Sequence, residues 1–154
     1  MKLNEKLLSN NIKNKDILTA NMSADVTKSA TGDYVVTALS KQSQIGDKFS
    51  ISGGNIVIGS GVKKVLISGT CIMTCASTSN PTTRNFSIRK NNSNVKTVST
   101  RSTGDWTFIS ISDFILNVNQ GDNIGLQMFT QKNDVIKGGS AYTYVTIKAV
   151  EYDD

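Results

Sequence analysis

From Tyr34 onward, apolar and polar residues alternate with a period close to two, which predicts short strands rather than helices. Tyr34 to Leu39 reads as a strand, and Phe49-Ser50-Ile51-Ser52 alternates cleanly before a turn at Gly53-Gly54-Asn55. Ile56-Val57-Ile58 is short and ends at Gly59-Ser60-Gly61. The clearest strand runs from Val65 to Ala76. It carries Val65, Ile67, Cys71, Met73 and Cys75 on one face and Ser68, Thr70 and Thr74 on the other. Leu66 and Ile72 make the second face only partly polar, so it too can be covered.

The same alternation places strands at Phe86 to Arg89, Val95 to Thr100, Trp106 to Ile111, Phe114 to Val118, Ile124 to Phe129 and Ala141 to Val150. Asn91-Asn92-Ser93-Asn94 is a hairpin-type turn, and Gly104-Asp105 and Gly121-Asp122 are further turns. In the last strand, Thr143, Val145, Ile147 and Ala149 share the core face, while Tyr142, Tyr144, Thr146 and Lys148 face away. Two aromatic residues on an outward face predict a subunit interface. About eight to ten short strands at this spacing, with no fixed-period repeat, predict an all-β antiparallel sandwich or jelly roll. Val65, Ile67, Cys71, Met73, Phe86, Ile88, Val145 and Ile147 are its expected core.

Residues 1–30 follow a different pattern. Leu3, Leu7, Leu8 and Ile12 fit a helical stripe that Ile17, Leu18, Met22 and Val26 continue less regularly, and asparagine is dense. This segment is expected to be an N-terminal arm or short helix, either packed on a partner or frayed, with the head domain spanning 31–154.

Composition narrows the chemistry. The 154 residues are 38% hydrophobic, enough for one domain with a real core. Histidine is absent, which excludes Ser-His-Asp and Cys-His catalysis and His-rich metal sites. Glutamate occurs only at Glu5 and Glu151, so a catalytic carboxylate pair would need aspartates alone. No cofactor, metal or enzymatic activity is expected, although loop aspartates could build a weak cation site. The glycines at 53–54 and 59–61 separate strands and lack the G-x4-G-K-[ST] pattern of a phosphate loop. The net charge of +5 comes from dispersed lysines with only three arginines, which suits a solvated surface better than a nucleic-acid groove. Cys71 and Cys75 would lie about 13 Å apart along a strand, too far for a bridge, so both read as buried free thiols suited to a reducing cytoplasm. The N-terminus lacks a signal peptide, and no run is long enough for a membrane-spanning helix.

The stretch Ile56-Val57-Ile58-Gly59-x-Gly61-Val62-x-x-Val65-x-Ile67-Ser68-Gly69, then Phe86 to Asn91, Val118-x-x-Gly121-Asp122-x-Ile124-x-Leu126 and Thr143 to Ile147, is similar to small jelly-roll heads at the C-termini of phage tail and baseplate proteins. Such heads resemble the trimeric tumour-necrosis-factor and complement globular-head fold. The resemblance covers roughly residues 45–152. It implies a non-enzymatic homotrimer in the virion tail, made in the host cytoplasm and contacting other tail proteins. Its head would bind a host surface glycan such as a cell-wall polysaccharide, or would serve assembly or baseplate functions with no receptor role. The family shares no receptor-contacting motif. The candidate ligand residues therefore come from the polar loops 76–84, 91–105 and 130–140: Arg84, Arg101 and Asp134, with neighbouring Trp106 as a stacking face. These loops could equally be merely solvated, and Trp106 could instead fill the core or a subunit contact. Tyr142 and Tyr144 are the expected trimer-interface residues, at or near a three-fold axis.

Overall fold

The computed structural model describes residues 16–139 and 141–153. The strands are β1 (Ile17–Met22), β2 (Val26–Thr27), β3 (Gly32–Val35), β4 (Leu39–Ile45), β5 (Phe49–Ser52), β6 (Asn55–Ile58), β7 (Val62–Cys75), β8 (Thr82–Lys90), β9 (Ser93–Ser102), β10 (Asp105–Asn117), β11 (Asn123–Thr130), β12 (Val135–Ile136) and β13 (Tyr144–Tyr152). Among the described residues there is no helix.

Two antiparallel sheets pack face to face. In the first, the strands run β2-β12-β7-β13-β1-β4, and β10 pairs with the other edge of β7; in the second, they run β5-β6-β11-β8-β9, with β3 also on β11. Every recorded pairing is antiparallel. This is an all-β jelly-roll sandwich. The alternation read from the sequence fixes its inner faces: Val65, Ile67, Cys71, Met73, Phe86, Ile88, Val145 and Ile147 are all fully buried. A period of two puts every second side chain into the space between sheets, where its apolar area leaves water. Gly69, in mid-β7, marks a close approach of the two sheets: an added Cβ would lie 3.1 Å from the Phe86 ring.

Local turn chemistry sets the connections. Asn91 and Asn92 join β8 to β9 with φ of 47° and 68°, the left-handed pair that a two-residue hairpin requires and asparagine tolerates. Asp122 holds the turn before β11 by accepting from the Asn119 N–H at 2.8 Å and from Asn91 Nδ2 at 2.6 Å.

The segment expected as an arm, residues 1–30, contributes two strands of the first sheet, β1 and β2. Ile17–Met22 is a strand inside the first sheet, paired with β13 on one side and β4 on the other. Leu18, Ala20 and Met22 point into the core, so the segment obeys a period of two rather than a helical one. The stripe Leu3, Leu7, Leu8 and Ile12 lies outside the described residues. Two expected loops also contract: Thr82 already begins β8, and most of 91–105 is the strand β9.

Candidate functional site

The outward face of the first sheet is unusual for a surface. Its strands lie in the order β10-β7-β13-β1-β4, and the register aligns their outward residues in rows. One end carries Trp106 opposite Thr74 and Phe108 opposite Ile72. The other carries Ile115 opposite Leu66, Leu66 opposite Lys148, Lys148 opposite Ile17 and Ile17 opposite Ile45. Phe108 and Ile115 are 64% and 63% exposed, and Trp106 and Ile45 are about half exposed. Between these apolar bands runs a belt of hydroxyls. Thr70 and Ser110 are 3.3 Å apart, and Thr19 and Thr146 are 3.0 Å apart, each pair sharing a hydrogen bond. Tyr144 sits opposite Thr70 at the edge of the belt, half-buried. Tyr142 lies in the turn before β13, and its ring stacks on Trp106 at 6.1 Å and 31°. Burying a large apolar side chain yields about 1.5–3 kcal/mol, so a face with four of them exposed favours association.

Among the described residues β10 pairs only with β7, which leaves its other edge without a strand partner there. A bulge between Ile111 and Phe114 interrupts it and leaves Ser112 and Asp113 exposed. Bulges and charges blunt edge-to-edge pairing. The apolar exposure of this sheet thus lies on its face, while its edge is blunted.

The four candidate ligand residues do not converge. Arg84 and Asp134 come together, but inside the protein: both side chains are 0% exposed, and Arg84 donates to the two Asp134 oxygens at 2.9 Å each. Asp134 also accepts from the backbone N–H of Ala76 and Gln131, both at 2.8 Å. Arg84 Nη1 donates to the carbonyls of Thr82 and Ser102. The pair is a buried clamp joining the 76–82, 102 and 131–134 segments. It is not a surface presented to a ligand, which corrects the expectation for both residues. Hydrogen bonding to Asp134 raises the Arg84 pKa further above its ordinary value. Arg84 shares its parity with Phe86 and Ile88, the one signal in the sequence that could have shown it facing inward. Arg101 is exposed on β9 and donates to the Pro81 carbonyl at 2.9 Å. Trp106 is on β10, in the opposite sheet, and packs against Tyr142 rather than beside Arg101.

The thiols are buried. Burial pushes Cys71 up to about 12, and burial likewise raises Cys75, whose S–H donates to Thr107 Oγ1 at 3.2 Å. Among the described residues no group of three or more His, Cys, Asp or Glu side chains could hold a metal ion. The buried aspartates serve the fold instead. Asp16 accepts from the Asp47 and Lys48 N–H groups and from the Tyr152 hydroxyl, and Asp122 pairs with Lys90 at 2.9 Å. No described helix is long and apolar enough to cross a membrane.

No protein-family model matches the chain, and no curated protein sequence does. Its structure does have counterparts. A crystal structure of murine APRIL at pH 8.5 superposes with a TM-score of 0.65 at 11% identity, covering 88% of this chain and 98% of that one. Murine APRIL at pH 8.0 gives 0.62 at 11% identity over 88% and 98%. The pH 5.0 form gives 0.58 at 9% identity over 88% and 99%. At such identities the likeness is one of fold alone. The strand order, the two-sheet packing and these superpositions together establish that the chain has the tumour-necrosis-factor-like jelly-roll fold.

Proposed function

We propose that the protein is a non-enzymatic head module of a phage tail, assembled as a homotrimer through the outward face of its first sheet. The observation that carries this reading is that face: Trp106, Phe108, Ile115 and Ile45 stand exposed at the two ends of a sheet face whose middle is a belt of small hydroxyl side chains. Small side chains let sheets approach closely, and exposed large ones gain by leaving water. The phage-tail context is supported by the strand-and-turn resemblance of the sequence, in which such heads are trimeric. Tyr142 and Tyr144 lie on or beside this face and belong to the proposed interface.

Within that context we favour a structural role in virion assembly over glycan recognition. Two of the four residues expected to contact sugar, Arg84 and Asp134, are buried and fully engaged with each other. The glycan-binding alternative keeps one specific support, the exposed Trp106–Tyr142 ring pair, since aromatic faces can stack on pyranose rings. Multi-angle light scattering at micromolar concentration tests the assembly: a trimer is expected, and Phe108→Asp with Ile115→Asp should give folded monomers. A monomeric parent protein refutes the proposal. Binding of the trimer to host cells that is lost on Trp106→Ala or Arg101→Ala, with the trimer intact, would favour the glycan role over assembly.

A further inference from the structure

A ring of three copies requires two different surfaces that fit each other, because each copy presents one flank and receives another. The outward face of the first sheet has two such flanks. One is the edge strand β10, with Phe108, Ile115 and the bulge that exposes Asp113. The other is β13 with β1 and β4, carrying the hydroxyl belt and Lys148. Lys148 lies opposite Leu66 on β7, and Phe114, the residue after Asp113, lies opposite Ile67. Asp113 therefore falls beside Ser68, two residues along β7 from the Leu66 row of Lys148, an offset of about 7 Å along the strand. They are on strands separated by β7, so roughly 10 Å apart across the face at ordinary strand spacing.

Both side chains are exposed, and neither is among the ion pairs of the described residues. The next charge along the face, Lys64, is already paired with Glu151 at 2.5 Å. From the Thr70 row to the Leu66 row, the outward residues of β10, β7, β13 and β1 are otherwise hydroxyl, amide, aromatic or aliphatic groups.

We infer that Asp113 of one copy pairs with Lys148 of the next, and that this contact, repeated around the ring, sets the register in which the face associates. The inference rests on the homotrimer proposed above and specifies how it closes. The occupant of the face is a second copy of this chain because the face carries its own complement: an exposed acid on one flank and an exposed base on the other, outside the ion pairs of the described residues and offset by about 7 Å along the strands, within the reach of a lysine side chain. Apolar bands and hydroxyls tolerate several sliding offsets. A charge pair tolerates one, and a slipped ring would leave the acid and base unmatched.

Sedimentation velocity on a dilution series of the full chain tests the pair, using Asp113→Lys, Lys148→Asp and the double exchange. Each single change sets like charges against each other three times per ring. Each is expected to raise the concentration of half-dissociation at least about tenfold at low salt, while the double exchange restores it to within about threefold of the parent. Added salt should weaken the parent trimer and strengthen the single variants. Circular dichroism at matched concentration confirms the fold, which exposed positions should preserve. Single variants as tight as the parent, or a double exchange no tighter than the singles, overturn the pair and leave the trimer standing. A monomeric parent overturns the trimer itself, and the pair with it.

Discussion

Replacing Asp134 with alanine is the sharpest test of the buried clamp. Four donors lose their acceptor at once: Arg84 Nε and Nη2 at 2.9 Å, and the Ala76 and Gln131 amides at 2.8 Å. The guanidinium cannot reach water, since Arg84 is 0% exposed, and it cannot shed its charge. Breaking a buried ion pair by removing one partner costs about 3–5 kcal/mol. The two orphaned amides add to that, so about 4 kcal/mol is a conservative figure, against a total stability of roughly 5–15 kcal/mol for a domain. For a chain of this size each kcal/mol lowers Tm by about 2–4 °C, so the melting point should fall by about 8–16 °C. Thermal melts followed by circular dichroism, at one fixed subunit concentration, give the comparison. Adding Arg84→Met to Asp134→Ala should cost less than the sum of the two single changes, because no unpaired charge then remains. A loss of under about 3 °C in Asp134→Ala would refute the clamp and return Asp134 to the role of a surface residue.

Two further outcomes follow from buried groups. Cys71, held near 12, and the buried Cys75 should resist an aromatic disulfide reagent at pH 8 in the folded protein and react fully once urea unfolds it; rapid reaction in the native state would contradict the burial. Burial pushes the Asp122 pKa up, but hydrogen bonds from Asn91, the Asn119 amide and Lys90 outweigh it and leave the group below its ordinary 3.8. A lowered folded-state value stabilises the protein above the unfolded pKa and loses that contribution as pH falls through the folded one, so Asp122→Asn should flatten the decline in urea midpoint below about pH 4. An unchanged acid slope would count against it.

What the sequence determined by itself is whatever depends on neighbours along the chain. Alternation set the inner faces of β7, β8 and β13, and asparagine or glycine set the turns, because side-chain parity and left-handed φ are local properties. Ile17–Met22 reads from sequence as part of an arm because its apolar residues continue the helical stripe and apolar Ile17 and small Ala20 blur the alternation. Only pairing with β13 and β4 makes it a strand. Arg84 and Asp134 are 50 residues apart. Each alone is a polar residue expected at the surface, and their burial is tolerable only because the fold brings them together. Trp106 was open between a stacking face, the core and a subunit contact, and Phe108 and Ile115 were placed only in strands; the sandwich set the core on the other side of β10 and left all three facing out. Parity is local, but partnership is not: the tertiary structure decided which polar groups meet in the interior and which apolar groups are left facing out.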